Sequence, residues 1–492
     1  MKIKHKRKKR KRNLGTIIGI LGLVFTIGSL LYAFIIGPTK RDIKNIKLFL
    51  ESYVRSKSDS SEILSSGIPA DLENRIKEIE EDVANVESSK IFSLGSDNYI
   101  KLSEFYFNYF NLNKSFEYVN KALKKNPLNF RAKLLLSIIE FYQGNFSAAI
   151  EDAEYVKKLL KMKEVDEEKI IIVADLIQSM SSLFMGDPSR SITYIEHSAS
   201  LLVESKDYRA INIFNYYFLA ENYLDINDYD KGDYYYKHYV ELKKDVLKKN
   251  DIDKLSKFLL AFTALEEDPS SAILLVNDLL NDDQRNNLLI MLKNCLLSIM
   301  EVKENKYKEA YRYLTKNVEI SSSLGSNLIE SLSRYMIFMV KLEGDKYIDE
   351  ITLEALEKGK SRIPFLDGDV YKAIAEFYNE RKDYPKAKEY FTKCLELYNK
   401  VGIMDEVVHI HADMYLLELN IKNYYNAYEN VSSALKCIND IFKKNKHFII
   451  DESTDNRIKK KLIELVEIER ILKEAKGNLE KIFGFKGNKI YS

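Results

Sequence analysis

Residues Asp369–Lys400 read DVYKAIAEFYNERKDYPKAKEYFTKCLELYNK, and this stretch decides the fold. Tyr371, Ile374, Ala375 and Tyr378 recur at helical spacing, as do Ala387, Phe391 and Cys394. Between the two runs Lys382-Asp383 marks a tight turn. Ala375, Ala387 and Cys394 are small and sit among larger apolar neighbours. Small residues there let two helix backbones approach closely, while Tyr371, Ile374, Tyr378 and Phe391 fill the remaining space. The stretch therefore reads as one antiparallel pair of amphipathic helices.

The same order of large and small residues recurs along the chain. Tyr99, Leu102, Ser103, Tyr106, Ser115, Val119, Ala122 and Pro127 carry it first. Leu136, Ser137, Ala149, Ala153 and Val156 continue it, with Gly144 in the inter-helix turn. The key small position falls at Ser115, Ala149, Ser191, Gly232, Ala272, Ala310, Ala387 and Ala427. This pattern resembles the tetratricopeptide repeat (TPR), a helix-turn-helix unit of about 34 residues. The resemblance implies an all-α, TPR-like α-solenoid of eight or nine repeats over residues 96–441. After the first step of 34, the single steps are 42, 41, 40, 38 and 40, so the helices are one to two turns longer than the family minimum. Asn456–Lys476 carries Ile458, Leu462, Leu465, Ile468 and Leu472 on one stripe. Within residues 442–492, this helix is expected to cap the open end of the solenoid.

The N-terminus carries a different signal. Of the 76 basic residues, 9 lie in the first twelve positions, and Leu14–Ile36 is a largely apolar run of 23 residues. At about 1.5 Å per residue it spans a bilayer core. No small-x-small cleavage site follows it, which favours an uncleaved signal anchor over a removed signal peptide. The positive-inside rule then keeps residues 1–13 in the cytoplasm and places the body outside the cytoplasmic membrane. Gly15, Gly19, Gly22, Thr26, Ser29 and Ala33 share one face of that helix. Such a stripe permits dimerisation or docking on a membrane protein, and it also fits the ordinary glycine content of membrane helices.

Residues 37–95 read as a connector. Leu72, Ile76, Ile79, Val83 and Val86 form a heptad seam of under three heptads. A short coiled coil and a helix capping the first repeat both fit it. Beyond the first twelve residues the chain has 67 basic and 74 acidic residues, which argues against nucleic-acid binding. Cys295, Cys394 and Cys437 are scattered through helical segments and read as thiols rather than a disulfide framework.

No motif in the chain carries catalytic chemistry, a cofactor or a metal. There is no phosphate-binding loop, and His409 and His411 project from nearly opposite helix faces. The expectation is a binding protein, not an enzyme. The TPR resemblance implies a concave groove lined by the first helix of each repeat. It would be formed by Ile100, Glu104 and Phe107, then Leu134, Ile138 and Phe141, with polar Lys372, Glu376 and Asn379 farther on. An apolar groove suits an amphipathic segment of a partner protein, and burial against residues 70–88 is the competing expectation. Ile100 and Glu104 stand where a chaperone-binding clamp would need Lys and Asn. In architecture the chain resembles membrane-anchored bacterial TPR proteins. That resemblance implies a scaffold for an envelope assembly such as the flagellar apparatus, the spirochaete periplasmic collar being one case. The alternative is a sensory or regulatory subunit that signals through its anchor.

Overall fold

The computed structural model describes residues 95–483, apart from 109, 164–166, 203–208, 249–256, 258–259, 262–268, 283–286 and 345–363. Among the described residues there are seventeen helices and no strand. The first eight are α1 (Ser96–Asn108), α2 (Leu112–Lys125), α3 (Phe130–Tyr142), α4 (Phe146–Met162), α5 (Glu168–Phe184), α6 (Pro188–Leu201), α7 (Arg209–Asp225) and α8 (Tyr229–Leu247). There follow α9 (Pro269–Asp282), α10 (Asn287–Lys303), α11 (Tyr307–Leu324), α12 (Asn327–Gly344), α13 (Pro364–Glu380) and α14 (Tyr384–Val401). The last three are α15 (Met404–Asn420), α16 (Tyr424–Lys444) and α17 (Asn456–Phe483). Helices α1–α2, α3–α4, α5–α6, α7–α8, α10–α11, α13–α14 and α15–α16 pack as hairpins, giving a TPR-type solenoid.

Close helix approach in these hairpins is set by paired small residues twelve positions apart. Ser103 Oγ donates to Ser115 O at 2.7 Å, and Ser115 Oγ returns a bond to Ser103 O at 2.8 Å. Ser137 Oγ donates to Ala149 O at 2.7 Å, and Ser179 Oγ to Ser191 O at 2.9 Å. Ala375 and Ala387 are the bare-methyl version, both fully buried. The hydroxyls thus satisfy themselves on the facing backbone where a larger residue would hold the helices apart.

One turn design joins the two helices in all seven hairpins. Phe110, Gly144, Gly186, Asn227, Asn305, Lys382 and Lys422 each adopt a left-handed backbone, with φ between 56° and 80°. The next residue donates its N–H back to a carbonyl of the preceding helix, as in Asp383 to Tyr378 O and Asn423 to Glu418 O, both 2.9 Å. This is the Schellman closure. Asn111, Asp187, Asp228, Asp383 and Asn423 then cap the second helix by accepting from a backbone N–H of its first turn. Each such cap contributes about 1 kcal/mol. Only two of the seven left-handed positions are glycine. Lys382→Gly, at an exposed site, is expected to raise stability by about 0.5–1 kcal/mol as the Cβ strain is relieved. An unchanged or lower thermal midpoint would show that the turn stores no strain.

The solenoid does not remain an open arc. The turns of the early hairpins meet the far ends of the late ones. Ser326 Oγ donates to Tyr142 O at 3.3 Å, and Asn327 Nδ2 to Gln143 O at 3.0 Å. A methyl built on Gly186 would lie 3.0 Å from Val401 Cγ2. Asn445 Nδ2 donates to Asn227 O at 2.8 Å. In step with these seams, α12 packs on α3 and α13 on α5. Helix α17 closes the end: Ile458, Leu465, Leu472 and Leu479 repeat every seven residues and are all buried. Among the described residues no helix is long and apolar enough to cross a membrane. The expected membrane helix Leu14–Ile36, with its glycine stripe, and the heptad helix at 72–86 lie outside the described residues.

Candidate partner-binding site

The groove expected of the first two repeats is not a free surface. Ile100, Phe107, Leu134, Ile138 and Phe141 are buried in the apolar core, and Glu104 is half-buried. Phe141 stacks on Phe184 with ring centroids 5.8 Å apart, and Phe107 and Phe110 meet Tyr142 at 6.3 and 4.9 Å. The correction has a physical cause. These side chains are large and apolar, and they pack on one another and on the adjacent hairpin.

The polar part of the expected lining fares differently. Lys372, Glu376 and Asn379 lie on α13 and are half-buried. Lys372 Nζ donates to Glu406 of α15 at 2.6 Å. Around this pair the fold gathers ionisable groups from five helices. Asp369 accepts from Tyr335 of α12 at 2.9 Å and from Tyr398 of α14. Lys461 of α17 pairs with Asp405 at 2.8 Å, and His409 faces Glu464 at 3.6 Å. The Lys372, Lys461, His409 and Glu406 side chains keep 12%, 18%, 22% and 24% of their surface. They are largely buried yet keep some contact with solvent. Gly368 makes room for this arrangement, because a methyl there would lie 2.7 Å from the Tyr398 ring.

Electrostatics here is a contest between burial and pairing. Burial alone would push Glu406 up, but Lys372, His409 and Lys461 outweigh it and hold its carboxyl below the ordinary range. Burial likewise opposes the charge on Lys461, and Asp405, Asp225 and Tyr229 overcome it. For Asp225 burial prevails over Lys461, and the carboxyl is pushed up to about 7. Burial raises Asp369 as well, helped by Glu406 and opposed by its tyrosine partners and Lys372. Within the cluster the acids are thus pulled in opposite directions, Glu406 down and Asp225 and Asp369 up. It offers hydrogen-bond acceptors as well as paired charges: Asn379 Oδ1 is buried with no donor.

Histidines 409 and 411 are both pushed down by burial, His409 further by Lys372, while His411 Nδ1 meets Asn430 Oδ1 at 2.9 Å. Both act as expected for different helix faces, His409 toward α17 and His411 toward α16. Their folded values lie below the ordinary 6.5. As pH falls through that range the unfolded chain takes up protons that the native chain refuses, so stability falls. The raised Asp225 and Glu140, the latter held at about 7 by burial and Asp152, act in the opposite sense. The prediction is therefore a difference: the His409→Gln/His411→Gln pair should lose less stability than wild type between about pH 7.5 and 5.5. Equal losses in denaturant titrations would remove the histidines from the acid response.

Most of this site was invisible in sequence. Asp225, Tyr335, Asp369, Tyr398, Asp405, Glu406 and Lys461 span 236 positions, and no periodicity links them. His197 shows the same limit: it lacks acidic or cysteine partners at metal-ligand spacing in sequence, yet its Nδ1 lies 2.6 Å from the buried Asp175. Among the described residues no group of His, Cys, Asp and Glu is arranged to hold a metal ion.

No family model and no curated protein matches this chain. Solved structures that match include the Rap conjugation gene regulator of the plasmid pLS20 in complex with the Phr* peptide, at 13% identity over 77% of this chain and 95% of that one, with a TM-score of 0.40. Yeast Tom70 matches at 14% identity over 89% and 96%, with a TM-score of 0.36. A signal-transduction ATPase with a tetratricopeptide repeat sensor from Pyrococcus horikoshii matches at 18% identity over 82% and 57%, with a TM-score of 0.34.

Proposed function

We propose that this chain is a membrane-anchored scaffold whose helical-hairpin solenoid holds partner proteins at the outer side of a cytoplasmic membrane. The observation that carries the reading is the inner polar face of α13 and α15. There Lys372, Glu376, Asn379, Glu406 and His409 stay half-buried. Such a face suits a polar segment of a partner, with hydrogen bonds for register and apolar walls for affinity. The membrane address rests on Leu14–Ile36 and its basic flank. An envelope machine, the flagellar apparatus among them, is the proposed setting, and the role is binding rather than catalysis. A second reading, a sensory or regulatory subunit, draws on the way the interior cluster ties α7 and α12 to α13, α15 and α17. A ligand that altered one pairing there would be felt by helices far apart in the chain.

The test is crosslinking in cells followed by purification in mild detergent. Full-length chain, a variant lacking residues 1–38, and Lys372→Ala/Glu376→Ala/Asn379→Ala are compared. A scaffold of the proposed kind recovers a stoichiometric assembly with the first, and with the truncation if the anchor only localises it. The triple variant, shown folded by its helical circular dichroism, should lose partners. Full recovery by the triple variant would place the binding surface elsewhere.

A further inference from the structure

The third seam joins hairpin α7–α8 to the C-terminal segment. Lys444 Nζ donates to Ile226 O and Asn445 Nδ2 to Asn227 O, both at 2.8 Å. Tyr229 N donates to Asn445 Oδ1 at 2.8 Å, and Asp455 N to Asp233 Oδ1 at 2.9 Å. Arg457, under the Tyr217 and Tyr236 rings, pairs with Glu221 and Asp455. Ile458 adds an apolar contact, its Cδ1 lying 3.9 Å from where a methyl on Gly232 would sit. The hydrogen-bonded fastenings are groups that water can satisfy when the seam parts, so each contributes little net, while Leu224 and Tyr229 also pack with Ile458 and Phe448 in a buried apolar cluster. Closure also has a cost of its own. Asn227 is only 1% exposed, and neither atom of its side-chain amide has a hydrogen-bond partner. Parting the seam returns that amide to water.

We propose that residues 444–461 are a releasable clasp that closes the solenoid onto α7–α8 and controls entry to the interior cluster. The clasp and the cluster share Lys461, which faces Asp405 and lies in the field of Asp225. Opening the seam therefore separates the charges that seal the inner face of α15. What the clasp admits depends on the proposed binding role. Its opening does not, since it is measured on the protein alone.

Two amides report the clasp directly: Tyr229 and Asp455, which donate across it. Amide hydrogen exchange is followed in the full-length protein, with the Asn145 amide, bonded to Glu140 O within the α3–α4 turn, as the control. Asn445→Ala removes the fastener and should speed exchange at both reporters by about tenfold or more, leaving Asn145 unchanged. Asn227→Gly removes the stranded amide while suiting the left-handed backbone, and should slow both reporters several-fold relative to Asn145. If Asn445→Ala does not fold, Lys444→Met weakens the same seam from an exposed position and carries the same expectation. Unchanged reporters in these variants, or changes matched at Asn145, would overturn the clasp. Loss of partner capture with normal exchange would count against the binding role and leave the clasp standing.

Discussion

Phe141→Ala is expected to destabilise the protein by about 3–5 kcal/mol, the range for emptying a buried aromatic site. The side chain is fully buried, touching the rings of Phe184, Phe146 and Tyr142 with centroids 5.4–5.9 Å apart. These neighbours come from three helices, α3, α4 and α5, so they cannot all relax into the cavity. The experiment separates two roles for one residue. A groove residue would lose partners at unchanged stability, whereas a core residue loses stability first. Denaturant unfolding followed by circular dichroism gives the answer. A wild-type midpoint with lost partner capture would return Phe141 to the binding surface.

Lys388→Met should be comparably costly, for an electrostatic reason. Lys388 Nζ of α14 lies 2.6 Å from Glu418 Oε1 of α15; the lysine side chain is 42% exposed and the glutamate 0%. The lysine stem thus brings the one solvent-facing charge of the pair down onto a fully buried carboxylate. Removing the cation leaves that carboxylate uncompensated, at about 3–5 kcal/mol for a broken buried pair. Replacing both partners with apolar residues, as in Lys388→Met/Glu418→Leu, should recover most of the loss, because no buried charge then remains. If the single and double variants were equally unstable, packing and not charge would be the cause. If the single variant were neutral, Glu418 would have another route to compensation.

These two residues mark where sequence reasoning worked and where it stopped. The paired helices of 369–400, their turn at Lys382 and the small positions at Ala375 and Ala387 were legible because each is a local pattern. A helix period, a turn and a close contact all lie within about a dozen residues of one another. The capping helix was legible for the same reason, although it runs on to Phe483 beyond the expected Lys476. The left-handed turn positions at Phe110 and Lys422 were not, since a Schellman turn is formed by backbone bonds that several residue types tolerate.

A repeat pattern assigns a residue to the inner face without saying whether that face stays open. Ile100, Leu134 and Phe141 are buried. By itself the sequence determined an all-helical chain of hairpin repeats with a capped end, because periodicity and small-residue spacing act over one hairpin at a time. Only the tertiary structure decided that the solenoid closes on itself and gathers Asp225, Asp369, Glu406 and Lys461 into one interior cluster. The physical reason is accumulation. Small rotations between successive hairpins, each too slight to leave a mark in sequence, add up until turns some two hundred residues apart meet.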